Sequence, residues 1–200
     1  MSYSQAGQDT WLLGQFPRDY VGYAADVGAF DGVTRSNTLA LEQQRRWTVL
    51  CIEPNPSAYK KLKSARPFVE SCACDAASTE NATLFIHADN MEAYTSLRPT
   101  LDHPVYHPAE GATFLKVPVP VKTLDDCLIR WDFPRLDLLC IDTEGTERDV
   151  LKGCDLDRWK PHIILVECWD EGSLDDHLNP LGYQRIARLL VDDIYMRNNP

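Results

Sequence analysis

The seven residues 26–32, DVGAFDG, stand between the first apolar run of the chain, at residues 20–27, and an amphipathic stretch at residues 36–46. The apolar run predicts a buried strand, and the amphipathic stretch predicts a helix that Ser36 would cap. The segment between them is then the turn that leads from a strand into a helix. This arrangement predicts the first unit of a parallel α/β sheet.

The alternation of strands and helices continues along the chain. Further strands are expected at residues 48–53, 68–74, 82–87, 115–121, 136–141 and 162–168, and a hairpin at 183–197. Amphipathic stretches predict helices at residues 57–65, 123–131, 146–152 and 174–178. The run at 115–121 alternates as an exposed edge strand does. Because strands joined through helices run parallel, we expect one α/β domain over residues 1–200, with helices on both faces of its sheet.

Composition excludes several classes of function. Lys and Arg number 20 against 30 Asp and Glu, a formal net charge of −10, which argues against a nucleic-acid binder and a polybasic membrane anchor. The first sixteen residues lack the pattern of a signal peptide, and no apolar run is long enough to span a bilayer. Seven cysteines without a Cys-x-x-Cys pair favour buried, reduced thiols. We expect a cytoplasmic protein without nucleic-acid or membrane partners, and the sequence leaves open whether it forms a homo-oligomer.

Carboxylates follow the predicted parallel strands. In an open α/β sheet, ligands bind beyond the carboxyl ends of the strands. The acids at these ends are Asp26, Asp31, Glu53, Asp75, Asp142, Glu144 and Glu167. Asp and Glu make up only 30 of the 200 residues, so an acid at every such strand end exceeds the background and indicates a ligand site.

The loop after the first strand disagrees with the common nucleotide sites. A dinucleotide fingerprint needs Gly-x-Gly-x-x-Gly, but Phe30 replaces the second glycine and Asp31 would repel a phosphate. The phosphate-binding string Gly-x-x-x-x-Gly-Lys-Ser/Thr is also missing from the sequence. An acidic loop suits a ligand with an adenosine end and a cationic end, whose ribose would bond to Glu53. S-adenosylmethionine has this shape, because it carries a sulfonium and an ammonium but no phosphate.

Five strings occur in order along the chain: SQAGQD at 4–9, DVGAFDG at 26–32, SNT at 36–38, CIEPNP at 51–56 and IDTEGTE at 141–147. Together they resemble the FkbM family of S-adenosylmethionine-dependent methyltransferases, and the resemblance runs from about Ser4 to Tyr195. It implies a Rossmann-like class I methyltransferase fold, with a mostly parallel seven-stranded sheet whose last strand is antiparallel. It also implies O-methylation of a small hydroxylated acceptor, such as a sugar, a nucleotide sugar or a natural-product metabolite.

The resemblance further implies which residues hold the cofactor. Asp26 and Gly28 would shape the cofactor loop, and Glu53 would hold the ribose. Asp75 would meet the adenine edge, Asp142 would lie beside the methionine part, and the N-terminal segment would cover the cofactor. The full set of cofactor-binding candidates is Gln8, Asp26, Gly28, Asp31, Ser36, Glu53, Asp75 and Asp142.

Methyl transfer to a hydroxyl group requires that the hydroxyl lose its proton. A general base could take it, and the candidates are Asp142 together with His103 and His107. Alternatively, Asp142, Glu144 and Glu167 could hold a divalent cation, Mg²⁺ or Mn²⁺, that lowers the pKa of the hydroxyl. Hard carboxylate oxygens suit these ions. The sequence leaves both solutions open.

Plainer interpretations compete with these assignments. Gly28 could serve only a tight turn, and Glu53 could be a solvated acid before a proline. Glu144 and Glu147 could merely favour the N-terminus of a helix. Alternative functions are N- or carboxyl-methylation of a small metabolite, or a non-catalytic scaffold that binds the cofactor.

Residues 89–113 interrupt the alternation of strands and helices. They contain three prolines and sustain neither the helical nor the strand period. Loops of this length in a compact domain are usually functional lids or disordered segments. Because the insert also carries Tyr94 and Tyr106, we expect it to cover the acceptor.

Overall fold

The computed structural model of the protein describes residues 2–87, 95–98 and 113–198. Within these ranges, seven strands form the main sheet, in the order Tyr183–Leu189 (β10), Asp192–Arg197 (β11), Ile163–Glu167 (β9), Leu138–Ile141 (β8), Tyr23–Val27 (β1), Thr48–Ile52 (β2) and Phe68–Glu70 (β3). Strands β1, β2, β3, β8 and β9 pair in parallel, whereas β11 is antiparallel to β9 and β10. The predicted sheet and its antiparallel last strand are therefore confirmed.

A second sheet was not predicted. In the described ranges it has four strands, in the order Ala73–Cys74 (β4), Phe114–Lys122 (β7), Thr79–His87 (β5) and Thr95–Ser96 (β6). The prediction of one strand at 68–74 is wrong, because the two ends of that segment belong to different sheets. The edge position predicted for 115–121 is also wrong, since β7 lies between β4 and β5. Its pattern resembles an edge strand because β4 pairs only with Val121 and Lys122.

Helices cover the main sheet. Those in the described ranges are Gln8–Gln15 (α1), Leu39–Arg45 (α2), Pro56–Ala65 (α3), Leu124–Arg130 (α4), Glu147–Lys152 (α5), Leu156–Trp159 (α6) and Asp175–Leu178 (α7). The prediction that Ser36 caps a helix beginning there is wrong, because α2 begins at Leu39 and its N-cap is Thr38. The Ser36 hydroxyl instead accepts the N–H groups of Thr38 (3.3 Å) and Leu39 (3.1 Å) from the turn before the helix. The sequence pattern does not predict α1, which is only weakly amphipathic, or α6, which is a single turn. Among the helices in these ranges, none is long and apolar enough to cross a bilayer.

Side chains of the parallel strands alternate between two cores, one on each face of the main sheet. In β1, Ala25 and Val27 pack with residues of α4, α5, α6 and α7, whereas Ala24 packs with residues of α1, α2 and α3. The same alternation holds for β2, β8 and β9. Both faces are therefore buried, as the uninterrupted apolar strands predict. The carboxyl ends of β1, β2, β8 and β9 meet at one edge of the sheet because these strands run in the same direction.

Candidate active site

The carboxyl ends of the parallel strands open into one large cavity. Its volume is about 970 Å³, at the upper end of the range typical of small-molecule sites. The predicted site residues that line it are Gln8, Asp26, Gly28, Ser36, Glu53, Asp142, Glu144 and Glu167. The strand ends thus bring most of the predicted set together.

Gly28 allows the ends of β1 and β8 to approach each other closely. Its φ is 87°, in the left-handed region, and a Cβ at this position would overlap the main-chain oxygen of Asp142. The N–H groups of Gly28 and Ala29 donate to the carbonyl of Ile52 at 3.0 and 3.1 Å. The N–H of Asp142 donates to the carbonyl of Val27 at 2.9 Å. The turn is therefore fixed against both neighbouring strands and has room only for glycine.

Asp26 is fixed by a buried hydrogen-bond network that involves Thr38 and Arg66. Its Oδ2 accepts from the hydroxyl of Thr38 (2.6 Å), and Arg66 donates to the same hydroxyl oxygen (3.1 Å). The Arg66 guanidinium also donates to the carbonyl of Gly32 (3.0 Å) and pairs with Glu42 (2.5 Å). Burial raises the pKa of Asp26, against the opposing effects of Thr38 and Arg66. Sequence reasoning missed Arg66, because its partners lie far away along the chain and no motif surrounds it.

Glu53 is buried at the end of β2, with 4% of its surface exposed. Its two carboxylate oxygens accept the N–H groups of Phe30 and Asn55, each at 2.8 Å. The interpretation of Glu53 as a solvated acid is therefore wrong. Burial raises its pKa to about 8, although both hydrogen bonds act in the opposite direction. Since each carboxylate oxygen can accept more than one bond, Glu53 keeps accepting capacity toward the cavity.

Asp142, Glu144 and Glu167, here called the acid cluster, meet at the ends of β8 and β9. One carboxylate oxygen of each lies within 4.8 Å of the others. Asp142 is exposed to the cavity, whereas Glu167 is 8% exposed, and its Oε2 has no hydrogen-bond partner among the described residues. Desolvation raises the pKa of all three carboxyl groups, and repulsion from neighbouring carboxylates raises it further. The cluster therefore favours a bound proton or a bound cation over three free negative charges.

Glu147 shapes the loop that carries Glu144. Its Oε1 accepts the N–H groups of Thr143 and Gly145, each at 3.0 Å, and the Thr143 hydroxyl at 3.1 Å. Glu144 and Gly145, the two residues that follow Thr143, both have positive φ, 56° and 102°. Glu147 thus folds the preceding loop over its own carboxylate, and it does more than favour the N-terminus of its helix.

Gln8 joins the N-terminal segment to the far side of the cavity. Its Nε2 donates to Oδ2 of Asp192 (2.6 Å), and its Oε1 accepts the N–H of Ala6 (2.7 Å). Asp192 itself lines the cavity at the start of β11. The N-terminal segment therefore lies beside the cavity, as predicted, and the Gln8 amide anchors it there.

The structure does not bring every predicted residue to the cavity. Asp31 and Asp75 are not among the described residues that line it. The Asp31 carboxylate accepts the N–H groups of Val33 and Thr34 within its own turn (2.9 and 2.7 Å). The Asp75 carboxylate accepts from Arg98 (2.7 Å). His103 and His107 lie outside the described residues.

Several cavity-lining residues were not predicted. Among the described residues these include Cys72, Cys74, Ser96, Trp169 and Asp192. Cys72 and Cys74 could have been recognised from their spacing, because residues two apart on a strand share a face. For Ser96 and Asp192 no local pattern gives a signal, since the first belongs to the irregular insert and the second begins the last strand.

Comparisons with known proteins agree with this geometry. The family model described as "Methyltransferase FkbM domain" matches residues 26–184. The protein "Methyltransferase sdnD" of Sordaria araneosa is 25% identical over 190 residues, covering 80% of this chain and 71% of that protein.

A solved structure, methyltransferase FkbM from Methylobacillus flagellatus KT, superimposes with a TM-score of 0.60 at 16% identity. The superposition covers 97% of this chain and 48% of the other. This chain therefore spans about half the length of that relative and shares its fold.

Proposed function

This chain belongs to the FkbM methyltransferase domain family, and from that premise we propose that it transfers the methyl group of S-adenosylmethionine to a hydroxyl group of a small molecule. The observation that carries the proposal is the convergence of Gly28, Glu53 and Asp142 on one cavity at the ends of parallel strands. We further propose that the acceptor presents a neutral glycosyl or hydroxylated group, as in a sugar, a nucleotide sugar or a natural product. The acidic lining disfavours a polyanion such as a nucleic acid.

The residues of the cavity fit this cofactor. Glu53 keeps accepting capacity for the two hydroxyl groups of a ribose. Six described carboxyl groups line the cavity against two basic side chains, Arg35 and Lys61. A cationic ligand favours the ionised forms of these carboxyl groups and is therefore preferred over an anionic one. When bound, S-adenosylmethionine supplies an electrophilic methyl group on its sulfonium.

Positioning is the first task of the protein in this reaction. Methyl transfer to oxygen is an in-line displacement, and the reacting atoms must be held about 3–3.5 Å apart in line. The glycine turn at Gly28 is fixed between β2 and β8, and Glu53 is fixed by two backbone N–H groups. These contacts give one end of the cavity a rigid frame, from which the cofactor can be held against an acceptor beside the acid cluster.

We propose that the acid cluster handles the proton of the acceptor hydroxyl. Asp142 is open to the cavity, and Glu167 offers an oxygen that has no partner in the described part of the chain. Asp142 can then serve as a general base, which contributes about 10²–10⁴-fold in rate. Alternatively, the three carboxylates would hold Mg²⁺ or Mn²⁺, which would lower the pKa of the hydroxyl.

Binding of S-adenosylhomocysteine, measured by isothermal titration, tests the cofactor part of the proposal. We expect one site per chain, and in Glu53→Gln an affinity weaker by about tenfold or more, since hydrogen bonds to a charged group contribute about 1.5–3 kcal/mol. Asp31→Asn is the matched control, because Asp31 lies nearby but does not line the cavity. Absence of binding, or equal effects of the two substitutions, would reject the cofactor site.

Turnover with a panel of sugars, nucleotide sugars and hydroxylated metabolites tests the reaction itself. We expect at least one product to carry the methyl group on the oxygen of a former hydroxyl group. Loss of turnover in EDTA, restored by Mg²⁺ or Mn²⁺, would assign the acid cluster to a cation, whereas unchanged turnover would assign it to base catalysis. A product methylated on nitrogen or on a carboxyl group would contradict methylation of a hydroxyl group.

A further inference from the structure

Three buried thiols meet beneath the cavity, away from the acid cluster. Cys72 and Cys74 stand on either side of Ala73 at β4, and Cys127 lies on α4. Their exposed fractions are 0%, 2% and 0%. The three sulfur atoms lie within 4.8 Å of one another, and the Sγ atoms of Cys72 and Cys127 are 3.7 Å apart.

This spacing is that of ligands around one metal ion. Two thiolates bound at about 2.3 Å to a tetrahedral zinc ion lie about 3.8 Å apart. We propose that Cys72, Cys74 and Cys127 form a binding site for a thiophilic metal ion of the Zn²⁺ class. Soft thiolate ligands select such ions over Mg²⁺ and Mn²⁺, which prefer carboxylate oxygens.

The backbone brings the three sulfurs together without a Cys-x-x-Cys motif. Residues two apart on a strand point to the same face, and Cys72 and Cys74 both pack in the core that contains Cys127. Ala73, between them, packs in the separate core of the second sheet. Pairing of Cys74 with Lys122 on β7 fixes the position of the strand. The site is therefore preformed by two elements that are far apart in sequence.

The thiols lie next to an ion-paired carboxylate. Glu70, two residues before Cys72, bonds to Lys122 (2.7 Å) and to Arg130 (3.2 Å). Two cations thus offset the charge of the carboxylate that would otherwise oppose thiolate formation at Cys72.

Two of the three cysteines border the cavity. Cys72 and Cys74 line it, although their side chains are almost fully buried. In this proposal the ion enters from the cavity side, and a water molecule completes its tetrahedral coordination. The other cysteines, Cys51, Cys140, Cys154 and Cys168, are buried and do not join a metal-sized group among the described residues.

The test is a titration of reduced, chelator-treated protein with Co²⁺, followed by displacement with Zn²⁺. We expect one equivalent of Co²⁺ to produce thiolate charge-transfer absorption that Zn²⁺ abolishes. Removing even an outer partner of a metal ligand costs about 10–100-fold in affinity, so Cys72→Ser and Cys127→Ser should each weaken binding by about 100-fold or more. Cys154→Ser, a buried cysteine outside the group, should bind as the wild type does.

X-ray absorption of the Zn²⁺-loaded wild-type protein gives a readout that does not depend on how the variants fold. Sulfur ligands at about 2.3 Å would support the site. A shell of oxygen or nitrogen alone would overturn it and would place the ion elsewhere, as in the acid cluster. Failure of the reduced wild type to bind Co²⁺ or Zn²⁺, or unchanged binding in Cys72→Ser and Cys127→Ser, would also overturn it.

Discussion

The ends of β1 and β2 differ from the ends of β8 and β9, although all four face the same cavity. At the first pair, Asp26 and Glu53 accept hydrogen bonds from a hydroxyl or from backbone N–H groups. At the second pair, the acids crowd one another, and Glu167 keeps an oxygen that has no partner among the described residues. The first half is thus internally satisfied and suited to hold a ligand in place. The second half is suited to receive a cation or a proton.

Removing the carboxylate of Glu167, at the end of β9, should have the largest effect. It should lower turnover without lowering cofactor affinity, and so distinguish the β8 and β9 half of the cavity from the β1 and β2 half. In Glu167→Gln we expect turnover to fall by about 10²–10⁴-fold, the range of a lost acid–base or metal contribution. S-adenosylhomocysteine affinity should stay close to wild type, because the substitution leaves Gly28 and Glu53 unchanged. Steady-state kinetics and isothermal titration measure the two quantities.

Glu171→Gln is the matched control for this experiment. Glu171 is an exposed acid near the same strand end and is not among the described residues that line the cavity. If Glu167→Gln keeps normal turnover, Glu167 contributes neither a metal ligand nor a proton acceptor that the reaction needs. If it loses cofactor affinity as well, the two halves are not separate.

Adding a side chain at Gly28 should destabilise the whole fold, because the turn lies between β1 and β8. In Gly28→Ala, a Cβ must overlap the main-chain oxygen of Asp142 at a φ of 87°. We expect a loss of about 3 kcal/mol or more in the free energy of unfolding, from overpacking and left-handed strain together. Urea denaturation measures this loss.

Gly182→Ala is the control that separates backbone strain at positive φ from steric overlap of the added Cβ. Gly182 has a similar φ of 84°, but nothing lies within 4 Å of its Cβ position. Only the left-handed strain, about 1–2 kcal/mol, should remain there. Equal losses in the two variants would show that the close approach of β1 to β8 does not constrain Gly28.

The pH dependence of cofactor binding should follow Glu53. Burial raises its pKa to about 8, so the free protein carries this carboxyl protonated at neutral pH. A ribose that donates to Glu53 favours the ionised form, and binding must then release the proton. Affinity for S-adenosylhomocysteine should therefore rise with pH, by up to about tenfold per unit below pH 8, and level off above it.

The same raised pKa has the opposite consequence for the stability of the free protein. A carboxyl whose folded pKa is raised contributes stability that is fully present below its unfolded pKa and is lost as the pH rises through the folded pKa of about 8. In Glu53→Gln, the free energy of unfolding should therefore fall less as the pH rises through 8. The affinity for S-adenosylhomocysteine should also rise less steeply with pH below 8. A variant with the wild-type pH profile in both measurements would contradict the assignment.

The contrast between the halves also explains what the sequence could predict. Strand ends are set by the backbone, so Asp26, Glu53 and Asp142 could be placed from apolar runs and the direction of a parallel sheet. The direction of a side chain within a turn depends on hydrogen bonds inside that turn. Asp31 therefore accepts N–H groups of its own turn instead of lining the cavity. The partners of Arg66 could not be predicted, because they depend on packing between distant segments.

The main sheet could be predicted because its strands are buried on both faces and carry uninterrupted apolar runs. Two strands of the second sheet were expected at residues 82–87 and 115–121. Their separation into a second sheet was not, because β4 has only two residues and follows β3 after a short break. The thiol group was missed for the same reason, since it depends on β4 being a separate strand packed against α4. Short elements carry too few residues for a period to be visible.

The smallest effect should come from Arg98, which ties the described part of the insert to the domain. Its guanidinium pairs with Asp75 (2.7 Å) and with Asp149, and the side chain is 52% exposed. Surface ion pairs contribute about 0–1 kcal/mol, so Arg98→Ala should weaken S-adenosylhomocysteine binding by no more than about fivefold. Lys152→Ala is the control, because Lys152 also pairs with Asp149 (2.9 Å) but lies outside the insert. If Arg98→Ala instead costs as much affinity as Glu53→Gln, cofactor binding depends on the surface ion pairs of Arg98 as much as on the buried contacts at β1 and β2.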